Sequence, residues 1–278
     1  MTVQKSLVLN EVKQIQLNIL LEVADFCDKN KITYFLTAGT LIGALRHKGF
    51  IPWDDDIDLV MLRPDYERFI ALFNQRAAQS SLRVVSGADK NYPYSYAKVM
   101  DERTEMIENQ ALFNQFPLGV NIDIFPLDFL TDDWQTACKW IKHIYRYNWL
   151  LEIKHISLDK PRPWYKQNTI RILQTILKLV PTDWLVRKIN TLAQRYATQL
   201  RSKYVGQIVL KTKGEREIVE QAWFASTVPV DFEGHRFAAP VGYDAYLKRL
   251  FGNYMQLPPK EKQISHHHFK AYYKGEHV

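Results

Sequence analysis

The sequence predicts an α+β fold: a mixed sheet with flanking helices, followed by a mainly helical region. Three observations lead there. Short β-prone runs alternate with runs of helical period as far as about Leu130. From Trp134 onward the apolar residues recur mostly at helical spacing, interrupted by Pro161, Pro163 and Pro181. No internal repeat and no Gly/Ser-rich linker separates the two parts, so the division into residues 1–130 and 131–278 is a soft one.

Val8, Val12, Ile15, Ile19, Leu20, Val23 and Phe26 predict an amphipathic helix ending near Asn30. Thr33 to Leu36 is β-prone, Ala38-Gly39-Thr40 breaks it, and Leu41 to Arg46 reads as a short helix. After the His47-Lys48-Gly49 turn and Pro52, Ile57 to Met61 alternates as a buried strand does, and Asp65 to Ala78 returns to helical period. Leu82–Val85, Tyr94–Met100 and Val120–Phe125 are further strand candidates. Helical period covers 134–156, 164–180 and 183–201. Ile208–Leu210 and Ala222–Phe237 suggest short strands, Tyr243–Phe251 a last helix, and Leu257-Pro258-Pro259 a tail.

A chain of 278 residues, 46% hydrophobic and 24% charged, has the composition of a folded globular protein. Cys27 and Cys138 form no CxxC pair, so neither a disulfide framework nor a cysteine zinc site is expected, and a reducing cytoplasm fits. The first dozen residues lack the apolar centre of a secretory signal, and no stretch of about 20 residues is free of charge. Charge is uneven: residues 1–128 hold 13 Lys+Arg against 17 Asp+Glu, and residues 129–278 hold 24 against 13. A basic half gathers anionic partners such as substrate phosphates or an acidic membrane surface. Lys139, Lys142, Arg146, Lys154, Arg162, Lys166, Arg171 and Lys178, interleaved with Trp140, Tyr145, Trp149, Trp164 and Tyr165, have the mixture expected at a lipid interface, with ordinary buried packing as the rival.

The chemistry concentrates in Asp54, Asp55, Asp56 and Asp58, which run directly into Leu59-Val60-Met61. On a strand, residues two apart lie ~6.6 Å apart on one face, so Asp56 and Asp58 should point together, Asp54 with them and Asp55 away. Each like-charged pair ~6 Å apart repels by about 3 kcal/mol at an effective dielectric of ~20, which raises a pKa or calls for a cation. Hard oxygen donors suit Mg²⁺, Mn²⁺ or Ca²⁺. An EF-hand loop started at Asp54 would need Gly and Glu where Leu59 and Asp65 stand, so that reading fails. Gly39-Thr40 opens a helix whose free N–H groups favour phosphate. Asp123, in Asn121-Ile122-Asp123-Ile124-Phe125-Pro126, is a third acid expected on a central strand.

A Gly-Thr turn, an Asp-x-Asp strand and a lone strand Asp in this order resemble the nucleotidyltransferase superfamily. More narrowly, AGTLIGALRHKGFIPWDDDIDLVMLRPDYERF (38–69), YAKVMDERT, NIDIFPLD, YDAYLKRLFGNYMQLPP and HHHF resemble the LicD family of phosphocholine transferases, which includes the fukutin-related proteins. The resemblance is densest over 33–128, returns over 240–270 and is thin between; the cysteine cluster of some eukaryotic relatives is missing.

It implies a nucleotidyltransferase-like core over 1–130, and a C-terminal segment near 240–270 that returns to the active site. The implied reaction moves a phospho-alcohol from a nucleotide-linked donor such as CDP-choline to a hydroxyl of a cell-surface glycan: teichoic acid, lipopolysaccharide or a capsule precursor. Asp56, Asp58 and Asp123 would bind Mg²⁺, with Mn²⁺ as the alternative. Gly39 and Thr40 would hold donor phosphate through their backbone, Asp54 would take the hydroxyl proton, and His266 or His267 would close the site. Arg46, Lys48 and Lys98 are phosphate or acid partners by charge and position; a Lys on a core-adjacent strand needs an anion. Nucleic acid is not an expected partner. A cytoplasmic protein in peripheral contact with the inner face of the membrane is. The rival readings are nucleotidyl transfer, transfer of another phospho-sugar or alditol, and a non-catalytic polyanion- or membrane-binding module.

Overall fold

A computed structural model describes residues 6–76, 80–108, 116–158, 161–264 and 269–275. The sequence-predicted His266 and His267 lie outside them.

Helix α1 (Leu9–Asn30) buries Val12, Ile15, Ile19, Leu20, Val23 and Phe26, the stripe its period specifies. Val8 has no capping side chain, and Glu11 supplies the missing acceptor by taking the Val8 N–H at 2.7 Å. Next come β1 (Phe35–Leu36), α2 (Ala38–His47), β2 (Asp58–Leu62), α3 (Arg63–Phe73), β3 (Leu82–Val85), β4 (Ala97–Asp101), β5 (Thr104–Glu108) and β6 (Asn121–Phe129). Three helices follow, α4 (Trp134–His155), α5 (Trp164–Leu177) and α6 (Thr182–Ala193). The chain then adds β7 (Tyr204–Gly206), β8 (Ile218–Glu220), β9 (Thr227–Phe232), β10 (His235–Pro240), α7 (Tyr243–Phe251) and β11 (Phe269–Tyr273).

The main sheet has the order β1-β2-β6-β4-β3, and β7 continues from the far end of β6 and carries β8. β2 and β6 are parallel and the other pairs antiparallel, so the fold is a mixed sheet with flanking helices. Since β7 and β8 come from beyond residue 200, the sheet draws on both sides of position 130. β6 is the centre: Asn121 to Phe129 is buried throughout except at Asp123, as befits a strand paired on both edges and covered on both faces.

Several expectations need correction. The strand expected over Ile208–Leu210 lies at Tyr204–Gly206; Ile208 and Val209 are buried as core side chains without joining a ladder. The periodic run 183–201 stops as a helix at Ala193 and continues as a single tight turn, Gln194–Tyr196. Strands β5 and β11, which pair with each other as a separate ribbon, are not foreseen in the sequence. Their residues, such as Thr104-Glu105-Met106 and Lys270-Ala271-Tyr272, have no clear alternation, and their pairing joins segments more than 150 residues apart.

Candidate active site

The site forms where α2 begins and where β2 and β6 start side by side. Asp58 is directly opposite Asp123 in the parallel register, and Lys98 is opposite Asp123 in the antiparallel one, so all three side chains leave the same face of the sheet. Two backbone bonds fix the corner: Thr37 N–H donates to the Asp58 carbonyl (3.1 Å) and Asp123 N–H to the Ile57 carbonyl (2.9 Å).

The acidic run does not follow strand alternation, because β2 begins only at Asp58 and residues 52–57 form a loop. Asp55 consequently does not face away from its acidic neighbours. It is buried, and the carboxylates of Asp54, Asp55 and Asp56 gather within 4.8 Å of one another. Around Asp58 the loop and β6 bring Asp56, Asp123 and Asp54. Burial first, then these three carboxylates in that order, pushes Asp58 well above the usual carboxylate range, with Lys98 acting against them. A half-buried carboxyl crowded by three acids marks a place where positive charge is short. The donor set is entirely carboxylate oxygen, which fits a hard divalent cation such as Mg²⁺.

Lys98 is the resident cation. Its Nζ lies 2.5 Å from Asp123 Oδ1 and 3.1 Å from Asn121 Oδ1, and it sits over the Tyr94 and Tyr96 rings at 4.9 and 5.5 Å. Tyr96 in turn packs at a tilt against Phe125 of β6. Beyond them, the fully buried Tyr92 feels the Asp123 charge, and its hydroxyl has no hydrogen-bond partner among the described residues.

The helix start abuts the acids. Ala38 has φ +45°, an unfavourable conformation for a residue with a Cβ, and it turns the chain from extended Thr37 into α2. A Cβ on Gly39 would overlap the Asp54 carboxylate, so only glycine lets this backbone approach the acid. Thr40 uses its hydroxyl to accept the Asp58 N–H at 2.8 Å, locking the helix to the strand that carries the acid, while its own N–H belongs to the first turn of α2. Thr37 shares a 2.6 Å hydrogen bond with Tyr246 of α7.

Arg46 and Lys48 stand at the other end of α2. Arg46 donates to the carbonyls of Tyr254 (2.8 Å) and Gln256 (3.3 Å), so this guanidinium clips the 254–256 segment onto the helix. Lys48 is exposed, caps α2 in the left-handed region, and its carbonyl accepts the Glu233 N–H. The structure thus groups Asp54, Asp56, Asp58, Asp123, Lys98, Gly39 and Thr40, and sets Arg46 and Lys48 about two helical turns from Gly39.

Sequence reasoning missed the supports. Gln16 of α1 donates to the carbonyls of Asp55 (3.0 Å) and Asn121 (3.2 Å), joining the acidic loop to β6. Lys13, one turn earlier, lies near Asp54, Asp55 and Glu233; burial lowers its pKa and those acids oppose the shift. Gln16 had a signal: it occupies the Val12–Leu20 stripe, where the helical period asks for an apolar residue.

Comparison with known proteins identifies the family. The family model described as LicD/FKTN/FKRP, nucleotidyltransferase domain, matches residues 31–158. The chain is 31% identical to the lipopolysaccharide cholinephosphotransferase LicD of Haemophilus influenzae, over 96% of its own length and 99% of that protein's. It is also 28% identical to an uncharacterized protein of Rickettsia typhi, over 39% of this chain and 36% of the other. The chain belongs to the LicD family and is a LicD-type transferase.

Proposed function

We propose that this LicD-family enzyme transfers phosphocholine, or a related phospho-alcohol, from a CDP-linked donor to a hydroxyl of a cell-surface glycan. Lipopolysaccharide is the acceptor class suggested by the Haemophilus relative's name, with teichoic acid and capsule precursors as chemically equivalent substrates. The observation that carries the reading is the convergence of Asp54, Asp56 and Asp123 on the half-buried Asp58. Such a cluster matches a reaction whose transition state concentrates charge on phosphate oxygens.

In that reaction the acceptor oxygen forms a bond to the phosphorus bearing the alcohol, the bond to the bridging oxygen breaks, and CMP departs with the electron pair. Asp54 accepts the hydroxyl proton. Asp56, Asp58 and Asp123 are the residues that would hold Mg²⁺ or Mn²⁺, which supplies charge neutralisation on the phosphates when bound. Lys98 holds Asp123 in place and adds a fixed positive charge beneath the site. Gly39 and Thr40 offer the start of α2 to donor phosphate, and Arg46 and Lys48 add positive charge at its other end. Among the described residues no helix is long and apolar enough to cross a membrane. Work on lipid-linked glycan intermediates would place the enzyme at the inner face of the membrane as a peripheral protein.

The test is a donor panel of CDP-choline, CDP-ethanolamine, CDP-glycerol and CDP-ribitol, read as CMP release with and without EDTA, with product mass. Choline-dependent CMP release that chelation abolishes is the expected result. CMP release indifferent to EDTA overturns the metal assignment, and nucleotidylated product overturns the transfer reaction.

A further inference from the structure

Helix α5 is attached to the molecule in an unusual way. Much of what fastens it is polar: Gln174 Nε2 donates to the carbonyls of Ile153 and Ile156 at 3.0 and 2.9 Å, and Gln167 Nε2 to that of Leu158 at 2.9 Å. Lys154 of α4 caps its far end through the carbonyls of Leu177 and Val180. Leu177 is the one fully buried side chain of the helix. On the outer side Trp164, Tyr165, Ile172 and Ile176 fall within an arc of about 120°, and Leu179 extends the row just past the last turn. Trp164 is 77% exposed, Ile172 62% and Leu179 87%. This row exposes apolar area on the order of several hundred Å², at or above the largest patch usual on a monomer.

Charge says what covers it. Residues 161–182 contain Arg162, Lys166, Arg171 and Lys178 and no Asp or Glu. Arg171 and Lys178 flank one border of the apolar row and Lys166 lies beyond the other, all three exposed. A protein partner rarely matches a surface of one sign wrapped around a mainly apolar stripe, whereas an acidic bilayer offers both a negative plane and an apolar interior. The Trp and Tyr at the helix start are side chains that settle at the headgroup level.

We infer that the outer face of α5 is the membrane-docking surface, lying in the plane of an anionic leaflet with Ile172, Ile176 and Leu179 below the headgroups and Trp164 and Tyr165 at their level. The inference extends the peripheral location given above, and its test uses neither donor nor acceptor, so it fails or survives apart from the chemistry.

The experiment is co-sedimentation of the full chain with phosphatidylcholine vesicles carrying either no anionic lipid or about 30% phosphatidylglycerol, at low and high salt. Wild type should bind the anionic vesicles at least about tenfold more tightly than the neutral ones, and salt should erase most of the difference. Ile172→Glu with Leu179→Glu should lose at least about tenfold, at unchanged thermal midpoint because both positions are exposed. Arg171→Glu with Lys178→Glu keeps the apolar row and should lose the preference for anionic lipid alone. Asp58→Asn should bind as wild type does, which separates docking from headgroup capture at the active site. Failure of wild type to sediment at low salt, or equal binding by the Ile172/Leu179 variant, overturns the inference. A lipid-free dimer in light scattering that Leu179→Glu dissolves overturns it too, since a second copy would then cover the face.

Discussion

Lys98 and Asp123 are paired across β4 and β6, Nζ 2.5 Å from Oδ1, with the lysine side chain only 7% exposed. The ammonium is the counterweight to an acidic corner in which Asp58 already feels three carboxylates. Lys98→Met should lower CMP release by about 10²-fold or more while the protein remains folded, because one preorganised charge is typically that valuable. Lys98→Arg should rescue little, since a planar guanidinium does not reproduce the compact ammonium held by Asp123 and Asn121. Steady-state CMP release and circular dichroism on both variants check this.

Asp58→Asn should abolish transfer and yet stabilise the metal-free protein at neutral pH. The folded-state pKa of Asp58 lies above its value of 3.8 in the unfolded chain, so folding favours the protonated form. Its contribution to stability is therefore retained below pH 3.8 and lost as pH rises through the folded-state value. In EDTA the variant's thermal midpoint should exceed that of wild type by about 2–5 °C at pH 7.5 and by less at pH 4.5. Added Mg²⁺ should raise the wild type and leave the variant nearly unmoved.

Gly39→Ala should destroy activity through geometry alone. Its methyl group would occupy the position of the Asp54 carboxylate, forcing the acid or the helix start to move. A shift of about 1 Å at a catalytic group costs on the order of 10²-fold. Ala38→Gly, at the neighbouring residue with φ +45°, should be tolerated and relieve backbone strain. Paired kinetics and thermal melts distinguish the two.

Asp128 should matter for stability and not for chemistry. It lies five residues from Asp123 on β6 and so on the opposite face, where it takes the Arg63 guanidinium in a two-pronged contact at 2.6 and 2.8 Å. Both side chains are buried, so Asp128→Ala leaves the Arg63 charge with only the half-exposed Glu67 and Asn190 as partners and should cost about 3 kcal/mol. Urea unfolding measures the loss; residual CMP release per folded molecule should be close to wild type.

Acid lability should trace in part to His155. Burial, with Lys154 adding to it, holds its pKa down at about 4 from an ordinary 6.5. The unfolded chain takes up this proton first as pH falls, so the stability is present above 6.5 and drains away between 6.5 and about 4. His155→Gln should flatten the stability–pH curve in that window, as followed by thermal melts.

Much of the site could be read from residue order because its parts are local. The Gly-Thr corner, the acids entering β2 and the Asp in the middle of an apolar strand are each visible within ten residues, and β2 and β6 formed where alternation and apolar runs placed them. What escaped was decided by partners far away. Asp55 looked outward-facing because alternation was extended into a loop that Gln16 of α1 holds instead. Asp128 and Asp123 are the same residue type in one motif, and only the partner across the fold, Arg63 for one and Lys98 for the other, separates a structural acid from a site acid. Ribbon strands β5 and β11 carry little pattern, since each is ordered by the other.

The position of β6 has a consequence for biosynthesis. Its residues pair with β2 from some 60 positions earlier, with β4 from some 20 earlier and with β7 from about 80 later. A nascent chain on the ribosome therefore carries Asp54 to Asp58 for a long interval with nothing opposite them, and the acidic corner can close only once Asn121–Phe129 has cleared the exit tunnel. Arg46 waits longer still, until residues 254–256 emerge to receive it. Premature termination within the helical stretch would release a chain with its acids assembled and its α2 clip missing.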